Sequence, residues 1–299
     1  MPRKRLLAGR EARQPVDDGA HSDSDVDGGE SVESHDHYKG AVNLPAHQTK
    51  HLAELVYRFP SIDTSFRLIQ RNDTNSTGSS LWLSSQVLAS YLLHTYSRAP
   101  HQTCSDAAPP MRKKVLELGS GTGLLSLLMA RLGWQVTATD IPPVLDSVLR
   151  PNIEAGLYQL VHSGLAAPDQ LHVCELDWTT SPDNWHPQPN TPSTPAQSAQ
   201  NPDLIITADT IYEPSIVRPL LSTLAHFYHR QDDTRPTVLL ALERRDPPHI
   251  TEALRIASHD FSLPFKQVPA KRVRKMFDAL GDGAKWSRDD WEGVEIWKL

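Results

Sequence analysis

The run Val115-Leu116-Glu117-Leu118-Gly119-Ser120-Gly121-Thr122-Gly123-Leu124-Leu125-Ser126-Leu127-Leu128 constrains the fold more than any other stretch of the chain. A short apolar strand runs without a break into alternate glycines and then into an apolar helix. Glycines make a strand-to-helix turn without steric cost, and they let a ligand approach the backbone where a side chain would stand. In an α/β sheet this turn lies at the carboxyl edge of the strands, where ligands collect.

Two cofactor classes use that geometry. A dinucleotide site requires Gly-x-Gly-x-x-Gly/Ala so that a pyrophosphate can rest on the helix N-terminus. A frame begun at Gly119 puts Leu124 sixth, and one begun at Gly121 puts Ser126 sixth, so neither fits. S-adenosylmethionine has no phosphate but carries an α-ammonium, a sulfonium and a ribose diol, so its site needs carboxylates as well as glycines. Glu117 stands at the strand end ahead of the turn, near the amino-acid part of such a ligand. Asp140 ends the next strand, where a carboxylate can accept from two vicinal hydroxyls. The turn residues Gly119, Ser120, Gly121 and Gly123 complete this end of the site. Asp177-Trp178 closes the third strand at the same edge: the indole can pack on adenine, and the carboxylate or nearby backbone can meet the adenine amino group.

The rest of the chain alternates as a doubly wound sheet requires. Strands are predicted at 115–118, 135–139, 171–176, 204–208 and 238–242, with helices at 124–132, 143–156, 215–229 and 249–258. The closing run 294–299 supplies an antiparallel last strand. Ahead of the sheet, Leu55, Tyr57, Phe59, Phe66, Leu68 and Ile69 suggest a hairpin or flap. Leu83, Val87, Leu88, Tyr91 and Leu92 recur at helical spacing after Ser79-Ser80, which can cap that helix, and they predict one buried face. Residues 1–45 form an acidic tail too poor in apolar groups to offset its ordering entropy, and are expected to be disordered. The folded domain then runs over 46–299, interrupted by a Pro/Ser/Gln/Asn-rich surface insertion at 181–202 with almost nothing that could pack.

Asp203-Leu204-Ile205-Ile206-Thr207-Ala208-Asp209-Thr210-Ile211-Tyr212 is the fourth strand and its exit. Because the first and fourth strands flank the point where the winding reverses, Asp209 and Tyr212 fall beside the place a transferred methyl group must occupy. An acceptor amine such as a lysine's would arrive there as ammonium. The site must attract a cation, then favour its deprotonated form and align its lone pair. A carboxylate can hold the nitrogen while an aromatic ring walls the methylene stem.

Taken together, the glycine turn, Asp140, Leu176-Asp177-Trp178 and Ala208-Asp209-Thr210-Ile211-Tyr212 resemble the seven-strand "family 16" protein-lysine methyltransferases, marked by an acid followed three residues later by Tyr or Phe. Gly78 and Leu81-Trp82 resemble that family's segment ahead of the first strand. Leu242-Glu243-Arg244-Arg245 and Val294-Glu295-Ile296-Trp297-Lys298 resemble its fifth and last strands, nearest the nuclear methyltransferase-like branch. The resemblance covers about 50–299 apart from the insertion, and 246–293 matches no pattern within it. It implies a class I, Rossmann-like seven-stranded sheet, mostly parallel with an antiparallel last strand and helices on both faces. By position it implies that Trp82, Gly119, Gly121, Asp140, Trp178 and Ala208 bind S-adenosylmethionine, and that Asp209 and Tyr212 form the amine site.

The expected activity is methyl transfer to a lysine of a protein substrate. The alternatives are a small-molecule N-methyltransferase acting on a nicotinamide-like ring, and a non-catalytic module that binds the cofactor for interaction. A net charge of −6 gives no global basic field to attract nucleic acid or an anionic membrane. The run Lys271-Arg272-Val273-Arg274-Lys275 could dock an acidic surface or RNA, but reads first as a solvated helix face. Two cysteines, Cys104 and Cys174, give neither a disulfide framework nor a metal site, and His35 and His37 lack partners for one. There is no signal-peptide core and no apolar run of about eighteen residues. The expectation is a soluble single domain acting as a monomer in cytoplasm or nucleus, with Pro2-Arg3-Lys4-Arg5 as a candidate nuclear address.

Overall fold

Alternate residues of the predicted strands divide between two apolar layers, as strands covered on both faces must. In the computed structural model, which describes residues 43–71, 77–97, 111–185, 201–229, 235–280 and 286–299, Val115, Val136, Leu204, Ile206 and Leu239 join one layer. Leu116, Leu118, Ile205, Val238 and Leu240 join the other. The tail before Asn43, with its basic cluster and histidines, lies outside the described residues, as do residues 98–110 and most of the insertion, 186–200.

The elements in chain order are β1 (Glu54–Phe59), β2 (Thr64–Ile69), α1 (Leu83–Tyr96), β3 (Lys114–Leu118), α2 (Leu124–Arg131), β4 (Gln135–Asp140) and α3 (Arg150–His162). They continue with β5 (Leu171–Glu175), β6 (Leu204–Ala208), α4 (Pro214–Tyr228), β7 (Thr237–Glu243), α5 (Pro247–Asp260), β8 (Lys266–Gln267), α6 (Ala270–Leu280) and β9 (Val294–Lys298). Strands β1 and β2 pair as the expected antiparallel hairpin. The other seven form one sheet in the order β5-β4-β3-β6-β7-β9-β8. Strands β3 to β7 are parallel, and β9 runs antiparallel to both β7 and β8. This is the class I methyltransferase sheet expected from the sequence. Because β3 lies between β4 and β6, the winding reverses beside it, and a crevice opens at the carboxyl ends of these three strands.

Polar side chains fix the hairpin to that crevice. Asn152 of α3 donates to the carbonyls of Ile69 and Thr122 at 3.0 Å each and accepts from the Ile69 N–H at 2.7 Å. Gln70 accepts from the Leu81 N–H at 2.8 Å and donates to the Thr49 carbonyl at 3.0 Å. The hairpin thus locates the chain on either side of it, including the segment that leads into Trp82.

The structure corrects several local readings. Ser79-Ser80 do not cap α1. Ser79 belongs to a preceding 3-10 turn, and Trp82 stands at the N-cap in extended backbone with no side-chain cap. Helix α1 is buried nearly all round, polar Ser84 and Gln86 included, because it lies between α2, α6 and strands β7 and β9. The predicted helix 143–156 opens with a short helical turn and a π-turn at Leu145–Leu149 before α3 runs on to His162. The wide turn sits just ahead of Pro151, which has no N–H to give the regular ladder. Asn43, assigned to the tail, exchanges two hydrogen bonds with the Arg58 backbone at 2.8 and 2.9 Å, and its carbonyl accepts from the Trp286 indole at 2.7 Å. Trp185, assigned to the insertion, is 8% exposed and stacks on Phe227 with centroids 5.6 Å apart. The helix expected at 249–258 forms as α5, and the unpredicted β8, then α6, follow it in the segment that matches no family pattern. On α6, Lys271, Arg272, Arg274 and Lys275 are exposed while Val273 and Met276 are buried, the solvated face that the charge run implied.

Candidate active site

The crevice beside β3 opens to solvent as a cleft enclosing about 780 Å³ of space, open solvent included. Of the predicted site residues, Trp82, Glu117, Gly119, Ser120, Gly121, Asp140, Trp178, Ala208, Asp209 and Tyr212 line it. They come from the ends of β3, β4 and β6, the loop after β5, and the residue that opens α1.

At the glycine end the backbone comes close for a visible reason. A Cβ on Gly121, where φ is +53°, would stand 3.0 Å from the Gly78 carbonyl oxygen. The Gly121 N–H donates to Asp140 Oδ2 at 2.8 Å and the Ile141 N–H to Oδ1 at 2.9 Å, which orients the carboxylate. Burial nonetheless lifts Asp140 to about 6 against those two bonds. Glu117 is 2% exposed, and burial pushes its carboxyl up to about 8; hydroxyls of Ser126 and Ser120 pull the other way. A buried carboxyl of this kind gains from a cationic ligand group. Trp178 adds a further opening for a ligand, because its indole Nε1 is buried without a hydrogen-bond partner. Cradle, carboxylates and unpaired indole together fit S-adenosylmethionine. Glu117 would meet the ammonium, Asp140 the ribose diol and Trp178 the adenine.

Two predicted contacts do not line the cavity. Asp177 turns back on its own loop, accepting from the Thr179 N–H at 2.8 Å and hydroxyl at 2.7 Å, a local bond that an aspartate two residues ahead of a threonine makes readily. Gly123 acts beneath the site. It caps α2 at φ +79°, and a Cβ there would lie 2.8 Å from Ile153 of α3.

At the other end stands Asp209, in left-handed backbone at φ +55°. Its Oδ1 accepts from the Glu243 N–H at 3.1 Å, and its Oδ2 lies 3.4 Å from the Arg245 guanidinium, which also pairs with Glu243. Burial raises the Asp209 pKa above the ordinary carboxylate value, with Arg245 opposing. Trp82 carries two cations on its ring: Lys50 Nζ at 3.2 Å from the centroid and Arg245 Cζ at 4.5 Å. Tyr212 remains 52% exposed at the mouth. Sequence reasoning passed over Arg245 as a lining residue, although its place directly after the fifth strand was a usable signal. Lys50 gave none, since only the fold brings the start of the domain to Trp82.

A family profile for lysine methyltransferases matches residues 63–253. The chain belongs to the lysine methyltransferase family. The stretch matched by the family contains Trp82, the glycine turn, Asp140, Trp178, Asp209, Tyr212 and Arg245, and it ends within α5. The protein-lysine methyltransferase METTL21E of Mus musculus is 30% identical over 149 residues, 50% of this chain and 51% of that protein. The EEF1A lysine methyltransferase 3 of Mus musculus is 32% identical over 114 residues, 38% of this chain and 40% of that one. The protein-lysine N-methyltransferase EFM6 of Saccharomyces cerevisiae is 29% identical over 195 residues, 60% of this chain and 70% of that one. The chain spans about half the length of the first curated relatives it matches. Among solved structures, the SAM-dependent methyltransferase from Agrobacterium tumefaciens aligns with a TM-score of 0.43 and 15% identity, over 69% of this chain and 58% of that one.

Proposed function

We propose that this chain transfers a methyl group from S-adenosylmethionine to the side-chain amine of a lysine in a protein substrate. The observation that carries the reading is Asp209, a carboxylate held from a neighbouring strand, in the same cavity as Trp82, Tyr212 and the cradle of Glu117, Gly121 and Asp140. When bound, the cofactor supplies a methyl group on a positively charged sulfur. The chain's residues do the rest. Asp209 draws in an ammonium and aligns its nitrogen, Tyr212 walls the methylene stem, and partial exclusion of water favours the neutral amine that has a lone pair to give. The half-exposed Tyr212 leaves the mouth open, which suits a lysine presented on a chain better than a ring that must be enclosed. Family membership and relatives named as protein-lysine methyltransferases support the same substrate class.

The test is transfer of labelled methyl from S-adenosylmethionine into cell lysate, with the wild type and Asp209→Ala compared and proteins separated from small metabolites. Label in a discrete protein band, recovered on lysine after hydrolysis and lost in the variant, is the expected result. Label confined to small molecules would move the assignment to a small-molecule N-methyltransferase. Cofactor binding without transfer to either fraction would leave a binding module.

A further inference from the structure

Lys50 carries its amine against a ring that lines the cavity. It directly follows the helical turn Ala46–Thr49. Its Nζ lies 3.2 Å from the centroid of Trp82, a ring that lines the cavity with Asp209 and Tyr212. Its charge interacts with Asp209, Glu243 and Arg245, the group around the proposed amine site.

The backbone beneath this lysine is tied down. The Ala46 N–H donates to Gln86 Oε1 at 2.7 Å, and the Gln86 amide donates to the Leu44 carbonyl at 2.9 Å. The Gln70 amide donates to the carbonyls of Thr49 and Leu52, each at 3.0 Å. Two glutamines from separate elements therefore fix the segment on both sides of Lys50, and the side chain leaves an anchored backbone toward Trp82. The requirements of a methyl acceptor are an aromatic wall, a carboxylate within electrostatic reach and a fraction of neutral amine. The first two are met by Trp82 and Asp209. For the third, burial and then the Arg245 charge lower the Lys50 pKa, while Asp209 and Glu243 oppose them.

We propose that Lys50 is itself a methyl acceptor, modified by its own chain at the amine site described above. This inference rests on the proposed methyltransferase activity. In the step, the ammonium first gives its proton to solvent at the open mouth. The Nζ lone pair then forms a bond to the methyl carbon as the carbon–sulfur bond breaks, and the electron pair of that bond stays on sulfur in the thioether product. No further reactant is needed.

The test uses the full chain with S-adenosylmethionine carrying a labelled methyl group, followed by digestion and mass spectrometry of the peptide containing Lys50. Label on Lys50 is expected, with a half-time unchanged on dilution of the protein and with loss of the label in Asp209→Asn. An unlabelled Lys50 in a preparation that does label lysate proteins would overturn this inference and leave the proposed function standing. No label on either would overturn both. A half-time that lengthens in proportion to dilution would overturn modification within one chain. A second readout needs no cofactor: competitive acylation of the chain's amines as a function of pH. The midpoint for Lys50 is expected below the ordinary lysine value, and a midpoint at or above that value would overturn the inference.

Discussion

The Glu243 N–H donates to Asp209 Oδ1 at 3.1 Å, so the carboxylate that follows β6 is held in place by the end of β7. The neighbouring strand also receives the Asp209 N–H, at the Ala241 carbonyl, 2.9 Å away. Two bonds to one strand explain how a residue in left-handed backbone can still present a fixed carboxylate to the cavity.

Asp209→Asn separates charge from shape. The amide keeps an acceptor for the Glu243 N–H and nearly the same volume, but it has no charge with which to draw an ammonium. Loss of alignment at a reacting centre costs on the order of 100-fold in rate. Labelled-methyl transfer is expected to fall by about that factor or more, while cofactor binding by calorimetry and the melting temperature stay close to wild type. Equal rates in the two proteins would remove Asp209 from the reaction.

Glu117 gives a proton-linked signature. Its carboxyl is lifted by burial to about 8, so at pH 7 the ligand-free chain holds it largely neutral. An ammonium placed beside it favours the anion and drives that proton off. Calorimetric titration with S-adenosylmethionine at pH 7, run in two buffers of different ionisation enthalpy, is expected to show net proton release, lost in Glu117→Gln. The stability sign follows from the same shift. The folded pKa lies above the ordinary value of 4.5, so the folded state holds the extra proton between about 4.5 and 8. The contribution is fully present below 4.5 and is lost as pH rises through 8. Ligand-free Glu117→Gln is therefore expected to lose less stability than wild type across that window.

The sheet and the cofactor end of the site were legible because backbone geometry there demands particular residues. Gly121 faces a carbonyl that a Cβ would crowd, and a strand buried on both faces reads as a continuous apolar run, as Leu204 to Ile206 does. Features set by tertiary packing were not legible. The two residues of β8 are too few to carry a period. Asp177 and Asp209 both follow apolar strands, and only local hydrogen bonding decides that the first turns away and the second turns in. Lys50 reaches Trp82 because the side-chain amides of Gln70 and Gln86 hydrogen-bond the backbone ahead of it, and the sequence positions of those residues announce nothing.

Gly121→Ala should affect fold and ligand together. A left-handed φ costs an L-residue about 1–2 kcal/mol, and the new methyl would stand 3.0 Å from the Gly78 oxygen, where backbone must give way. Thermal denaturation is expected to show a loss of that order. Cofactor affinity is expected to fall further than stability does, because Gly78 and Gly121 both line the cavity. A variant that loses stability but binds the cofactor normally would mean that the ligand does not use this part of the turn.

Trp185 tests whether the insertion begins where its composition changes or where its packing ends. The ring is 8% exposed, stacks on Phe227 with planes 17° apart, and donates from its indole to the Thr180 carbonyl at 3.1 Å. It belongs to the apolar layer that contains Leu118 of β3 and Leu224 of α4. Truncating a buried aromatic of this size removes its transfer free energy and leaves a cavity, together about 3 kcal/mol or more. Trp185→Ala is expected to lower the unfolding free energy by that much, read in urea as a lower midpoint with little change in slope, and Trp185→Phe to recover most of the loss by keeping the stack without the indole hydrogen bond. Because the ring packs against the layer beneath the sheet's carboxyl edge, Trp185→Ala is also expected to weaken cofactor binding modestly. An unchanged midpoint would show that Phe227 is adequately covered without the tryptophan, and that Trp185 does not extend the domain's core into the insertion.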